Sequence, residues 1–118
     1  MNLLMIAFGG GVGAVFRYLL TEFLNNNFSH LLPLGTLTVN ILGCFIMGCI
    51  AGFFASKSSP IYFFLVVGFL GSFTTMSAFS IQTIELFNTN IVNGIVYIIL
   101  TFSLTIVATY IGLMVFSK

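Results

Sequence analysis

The residues of this chain that could do chemistry are mostly uncharged. Two adjacent threonines and three serines crowd one apolar stretch, Gly68-Phe-Leu-Gly71-Ser72-Phe-Thr74-Thr75-Met76-Ser77-Ala-Phe79-Ser80. Asn40 lies four residues after Thr36, which puts an amide and a hydroxyl on one helix face. Tyr97, Thr101, Thr105 and Thr109 recur at i, i+4, a line of four hydroxyls along another. Threonine in an apolar helix commonly bonds back to its own i−4 carbonyl, yet four in register also make a polar track. Hydroxyls and amides donate hydrogen bonds without carrying charge, and aromatic ring edges are electropositive. With no acidic residue at the centre of any apolar run, this inventory suits a weakly polar path for a small anion.

Other chemistry is poorly served. Glu22 and Glu85 lie near the ends of apolar runs, and nothing resembles a set of nucleophile, base and orienting group, so the chain does not read as an enzyme. Cys44 and Cys49 would point roughly 140° apart on a helix, so they cannot bridge there and read as packing residues. His30 stands in a connecting segment with no metal-binding partner in view and reads as a surface residue. A net charge of +1 with no basic stripe disfavours nucleic acid. The first residues lack the basic start of a cleavable signal peptide.

The elements that must position these groups are membrane helices. Of 118 residues, 59% are hydrophobic and 4% charged, against about 25% charged in soluble domains. Such a chain could not keep a globular surface in water. Four spans fit, at about 3–24, 34–55, 61–87 and 91–116, each long enough for a hydrocarbon core of ~30 Å. The connections are short, at 25–33, 56–60 and 88–90, and leave no room for an extramembrane domain. The expectation is one all-α domain over 1–118 with its third helix broken at the centre, where Gly68 and Gly71 would free backbone carbonyls. Gly9 and Gly13 form a small-xxx-small pair suited to close helix approach. In the second span Cys44, Gly48 and Gly52 continue the Thr36–Asn40 row, which either ties helices together or lines a pore. Arg17, inside the first span, must snorkel or find acceptors, and the carbonyls of a broken neighbouring helix are the structural option. Glu22, five positions on, faces elsewhere.

Four spans put the N-terminus, Lys57 and Lys118 on one side, with Arg17 toward the other. So small a bias permits insertion either way up. Four helices are also too few to enclose a generous pore, so oligomers are expected.

At this point the chain resembles the Fluc/CrcB fluoride channels along essentially its whole length. The likeness rests on Gly10-x-x-Gly13-Ala14-x-x-Arg17-Tyr18, on Gly35-Thr36-Leu-x-Val39-Asn40-x-x-Gly43-x-Phe45-x-x-Gly48, and on Gly68-Phe-Leu-Gly71-x-x-Thr74-Thr75-x-Ser77-x-Phe79-Ser80. The resemblance implies a dual-topology antiparallel homodimer in the cell membrane, in contact with lipid, that exports fluoride passively through two pores lined by both subunits. It implies Asn40 as the pore amide of the second span, Ser77 and Phe79 as pore-lining residues of the broken helix, and Tyr97, Thr101 and Thr105 as a polar track. It also implies a structural sodium ion at the dimer axis, held by the backbone carbonyls of Gly71 and Thr74. Two positions depart from the family pattern. Met76 stands where the first of two phenylalanines is usual, and Gln82 replaces a common acidic residue near the vestibule. Because some organisms carry paired, non-identical subunits, a heterodimer in which this chain is the non-conducting partner is the second reading. A proton-coupled exporter like the small multidrug resistance proteins is a third, although such proteins need a carboxylate deep in the first span, and Arg17 is found there instead.

Overall fold

In hydrocarbon every backbone N–H and C=O must be met within the protein, and a helix meets nearly all of them locally. The apolar runs accordingly form helices in a computed structural model, which describes residues 1–28, 32–54 and 57–116. Helix α1 is Asn2–Asn27, α2 is Leu34–Phe53 and α5 is Ile91–Phe116. The third span, Pro60–Thr89, is divided. Its first half, α3, covers residues 60–73 and its second half, α4, is Met76–Thr89. His30, Lys118 and the expected end of the second span at Ala55 lie outside the described residues.

Local signals explain the starts. Pro60 opens α3, and the Ser59 hydroxyl accepts from the Tyr62 N–H at 3.3 Å, a serine cap followed by proline in the first turn. The Asn90 side chain accepts from the Val92 N–H at 3.0 Å and starts α5 one residue after α4 ends. Residues 63–70 of α3 wind as a π-helix, a wide turn that hydropathy does not encode.

The interruption of the third span differs from the expectation. Gly68 and Gly71 both stay helical, and the chain opens instead at Thr74 and Thr75, whose backbones are extended (ψ 154° and 114°). Gly68 is used for contact. A Cβ there would stand 2.8 Å from the Ile6 carbonyl oxygen and 3.0 Å from the Gly10 nitrogen of α1. Gly9 and Gly13 answer from α1, where a Cβ would strike the carbonyl oxygens of Phe64 and Phe69. Close backbone packing of α1 on α3 is the role of the small-xxx-small pair.

A second interlock joins α2 to α5. A Cβ on Gly48 would strike the Thr109 carbonyl, one on Gly112 the Phe45 carbonyl, and one on Gly52 would come within 3.0 Å of the Leu113 carbonyl. The Gly48–Gly52 end of the α2 row is therefore packing surface. The molecule is built as two tight pairs, α1 with α3 and α2 with α5, while α4 leaves the first pair to lie on α5. A buried cluster of Leu37, Phe79 and Tyr97 marks where α2, α4 and α5 meet.

Candidate functional site

The break is held from three sides. Two extended residues cannot satisfy their peptide groups within a helix, so donors and acceptors must come from elsewhere. Asn40 of α2 supplies one of each: its Nδ2 donates to the Thr75 carbonyl at 3.1 Å, and its Oδ1 accepts from the Thr75 N–H at 2.8 Å. Arg17 of α1 donates through Nε to the Ser72 carbonyl at 3.0 Å, at the end of α3. This is the carbonyl-capping role open to an arginine inside a span. Thr74 closes α3 on itself, both its N–H and its hydroxyl donating to the Leu70 carbonyl. The Thr75 hydroxyl accepts from the Ala78 N–H at 3.2 Å, capping α4, and lies 3.3 Å from the Ser77 hydroxyl.

Beside the break is a cavity of about 220 Å³, lined by Asn40, Cys44, Thr74, Thr75, Met76, Phe79, Thr101, Phe102 and Thr105. Four of the residues read from the sequence as a path line it together: Asn40, Phe79, Thr101 and Thr105. Met76 joins them at the rim, 65% exposed. Ser77 lies on the exposed side of α4 and is not part of the lining. Irregular backbone at mid-span depth is tolerated where it lines such a space.

The walls are aromatic. Phe79 is buried with its ring 5.1 Å from that of Tyr97, and Phe102 meets it edge-on at 5.9 Å. Tyr97 is fully buried (0% exposed) and donates its hydroxyl to Gln82 Oε1 at 3.1 Å. Gln82 thus joins Tyr97, and that one hydroxyl ties α5 to α4.

The threonine line on α5 divides by hydrogen bonding. Thr105 donates to the Thr101 carbonyl at 2.6 Å and Thr109 to the Thr105 carbonyl at 3.0 Å, the local back-bond of helical threonine. Thr101 differs. Its Oγ1 is buried and has no partner among the described residues. A second cavity, of about 230 Å³, lies on the other side of Thr74 and is lined by Gly43, Cys44, Met47, Val66, Leu70, Gly71 and Thr74.

A family model described as "CrcB-like protein, Camphor Resistance (CrcB)" matches residues 4–113. This chain belongs to the CrcB family. Relatives matching over most of the chain bear the name "Fluoride-specific ion channel FluC". One from Rhizobium johnstonii is 40% identical over 116 residues, covering 95% of this chain and 93% of its own length. One from Shewanella sp. (strain ANA-3) is 40% identical over 121 residues, covering 99% and 98%. One from Leptospira interrogans is 43% identical over 90 residues, covering 72% and 69%. With four helices among the described residues long and apolar enough to cross a membrane, this CrcB member is a multi-pass membrane protein.

Three participants in this CrcB site were not singled out by sequence reasoning as site residues. Gly43 makes room for the break, since a Cβ there would strike the Thr74 methyl group. Phe102 supplies a wall, and Cys44 borders both cavities. The i, i+3 spacing of Asn40 and Gly43 was the available signal for the first, because it sets an amide beside a gap on one helix face.

Proposed function

We propose that this protein is a fluoride-selective channel, not an enzyme, giving passive fluoride export across the cell membrane through paths lined by both subunits of an antiparallel dimer. The observation that carries the reading is the lining of the cavity at the break. It combines the amide and hydroxyls of Asn40, Thr74, Thr75, Thr101 and Thr105 with the rings of Phe79 and Phe102, with no carboxylate among the described residues that line it. Fluoride is small and strongly hydrated, so donors must replace its water. Several weak sites in line also let an ion leave. Family membership and relatives named as fluoride-specific channels support the same conclusion.

The dimer belongs to this proposal. In a single chain Met76 and Gly71 face outward and Phe102 is 49% exposed. A second copy laid over this face would close the path and add donors to it. The carbonyls of Gly71 and Thr74 suit a small hard cation such as sodium. They sit at the carbonyl end of α3, where the helix dipole is negative, beside the second cavity. Two oxygens are too few for a full shell, so the matching pair would come from the partner copy. The ion would supply positive charge that holds the two copies together.

Efflux from liposomes holding this chain alone tests the reading. Vesicles loaded with potassium fluoride receive valinomycin, and a fluoride electrode reads release. Potassium chloride vesicles with a chloride electrode are the control. Rapid fluoride release with chloride retained is expected. Release of both ions removes selectivity, and no release from folded protein refutes a channel built from this chain alone and sends the search to a second, non-identical subunit.

A further inference from the structure

As a pore amide Asn40 would donate to the ion, yet in the fold its amide is bonded to the backbone of the break. Asn40 is buried, and it gives one N–H and its oxygen to the two peptide groups of a single residue, Thr75. That pairing has the form of one rung of a β-ladder, built from a side chain. Gly43, one turn along the same face of α2, leaves the space into which the Thr74 methyl fits. Asn40 and Gly43 together form a seat for the two extended residues, and α2 itself is anchored to α5 through Gly48 and Gly112. From Thr75 the constraint runs onward. Its hydroxyl caps α4 at Ala78, and the first turn of α4 carries Phe79, which walls the cavity against Tyr97.

We propose that Asn40 is a positioning residue. Its amide is committed to the Thr75 peptide and sets the direction in which α4 leaves the break, so that Phe79 and Thr75 line the cavity. The effect on fluoride rests on the channel reading above, but the clamp itself does not.

Amide hydrogen exchange of the reconstituted full chain tests the clamp, with efflux measured in parallel at neutral pH. Asn40→Ala should speed exchange across residues 75–78 by about tenfold or more, the scale of losing one to two hydrogen bonds, with α2 and α5 unchanged, and should suppress fluoride flux. Asn40→Asp adds a conservative rescue. Ionised, its carboxylate accepts from the Thr75 N–H but faces the Thr75 carbonyl with another acceptor. Protonated, it offers one donor and one acceptor, as the amide does. Its exchange at 75–78 should therefore be fast at neutral pH and return to that of the unmodified chain, compared at the same pH, once the carboxyl is protonated. Arg17, bonded at the same break, keeps its charge throughout. Exchange alone is read in acid, since protonated fluoride crosses lipid unaided. Unchanged exchange in Asn40→Ala with flux lost would overturn the proposal and return Asn40 to direct contact with the ion. Faster exchange with full flux would overturn it too, since the clamp would then not serve the path. If the unmodified chain passes no fluoride, the channel reading fails while the exchange experiment still decides the clamp. If Asn40→Ala does not fold, Asn40→Asp carries the test, and exchange that ignores its protonation refutes the clamp.

Discussion

Replacing Thr101 by valine should move stability and transport in opposite directions. The side chains are nearly the same shape, so packing is held constant while one hydroxyl becomes a methyl. Thr101 is 6% exposed, with its Oγ1 enclosed and unpartnered among the described residues. Leaving such a group unmet costs about 1–3 kcal/mol, so Thr101→Val should gain stability of roughly 1 kcal/mol or more. Transport carries the other sign. Threonine in a helix samples two χ1 rotamers, and this hydroxyl, alone among the three threonines of α5, has no back-bond to hold it from the cavity the residue lines. A hydrogen bond to a charged group contributes about 1.5–3 kcal/mol, so losing it should slow fluoride flux roughly 10- to 100-fold at about 1.4 kcal/mol per tenfold. Thr101→Ser keeps the hydroxyl and should keep the flux. Denaturant unfolding in detergent and electrode efflux at equal protein load measure both quantities. A variant that is less stable and conducts normally would refute the reasoning, because the hydroxyl would then have a partner and no part in the path.

Other positions give sharper contrasts in stability. Gly13→Ala should cost about 1–3 kcal/mol, because its Cβ meets the Phe69 backbone, whereas Gly11→Ala, with nothing within 4 Å, should be neutral or slightly stabilising in the same unfolding assay. Arg17→Met keeps an apolar stem but leaves the Ser72 carbonyl without its donor. It should lower stability by about 1–3 kcal/mol, and unfolding equal to that of the unmodified chain would mean the carbonyl is met another way. Gln82→Leu removes an acceptor from the buried Tyr97 hydroxyl and should lower the unfolding midpoint, while Gln82→Glu retains an acceptor there and should fall less.

Much of the architecture can be read from residue order because length, hydropathy and caps are local properties. Four spans, short connections and an interrupted third helix follow from them, and Ser59-Pro60 marks a helix start that the structure keeps. The place of the interruption does not follow. Glycine permits an open backbone without requiring one: Gly68 remains helical where α1 demands a close approach, and Gly71 continues the same helix. Thr74 and Thr75 open instead, where Asn40, distant in sequence, partners both the N–H and the carbonyl of Thr75. The site is legible to the same degree. Asn40, Phe79, Thr101 and Thr105 do border one cavity, but i, i+4 spacing cannot tell a threonine that bonds its own helix from one that does not. That difference separates Thr105 and Thr109 from Thr101. Nor does spacing show that Tyr97 and Gln82, on different helices, share a hydrogen bond.

The pairing of α1 with α3 and of α2 with α5 bears on how the chain is made. Ribosomes deliver helices in order, so α2 enters the bilayer with its glycine face bare and keeps it so until the last span arrives. The Asn40 seat meets Thr75 one helix earlier, on an α2 not yet braced by α5. A chain halted before Ile91 would thus expose both a small-residue groove and a half-supported break. The final helix is the key that closes the molecule.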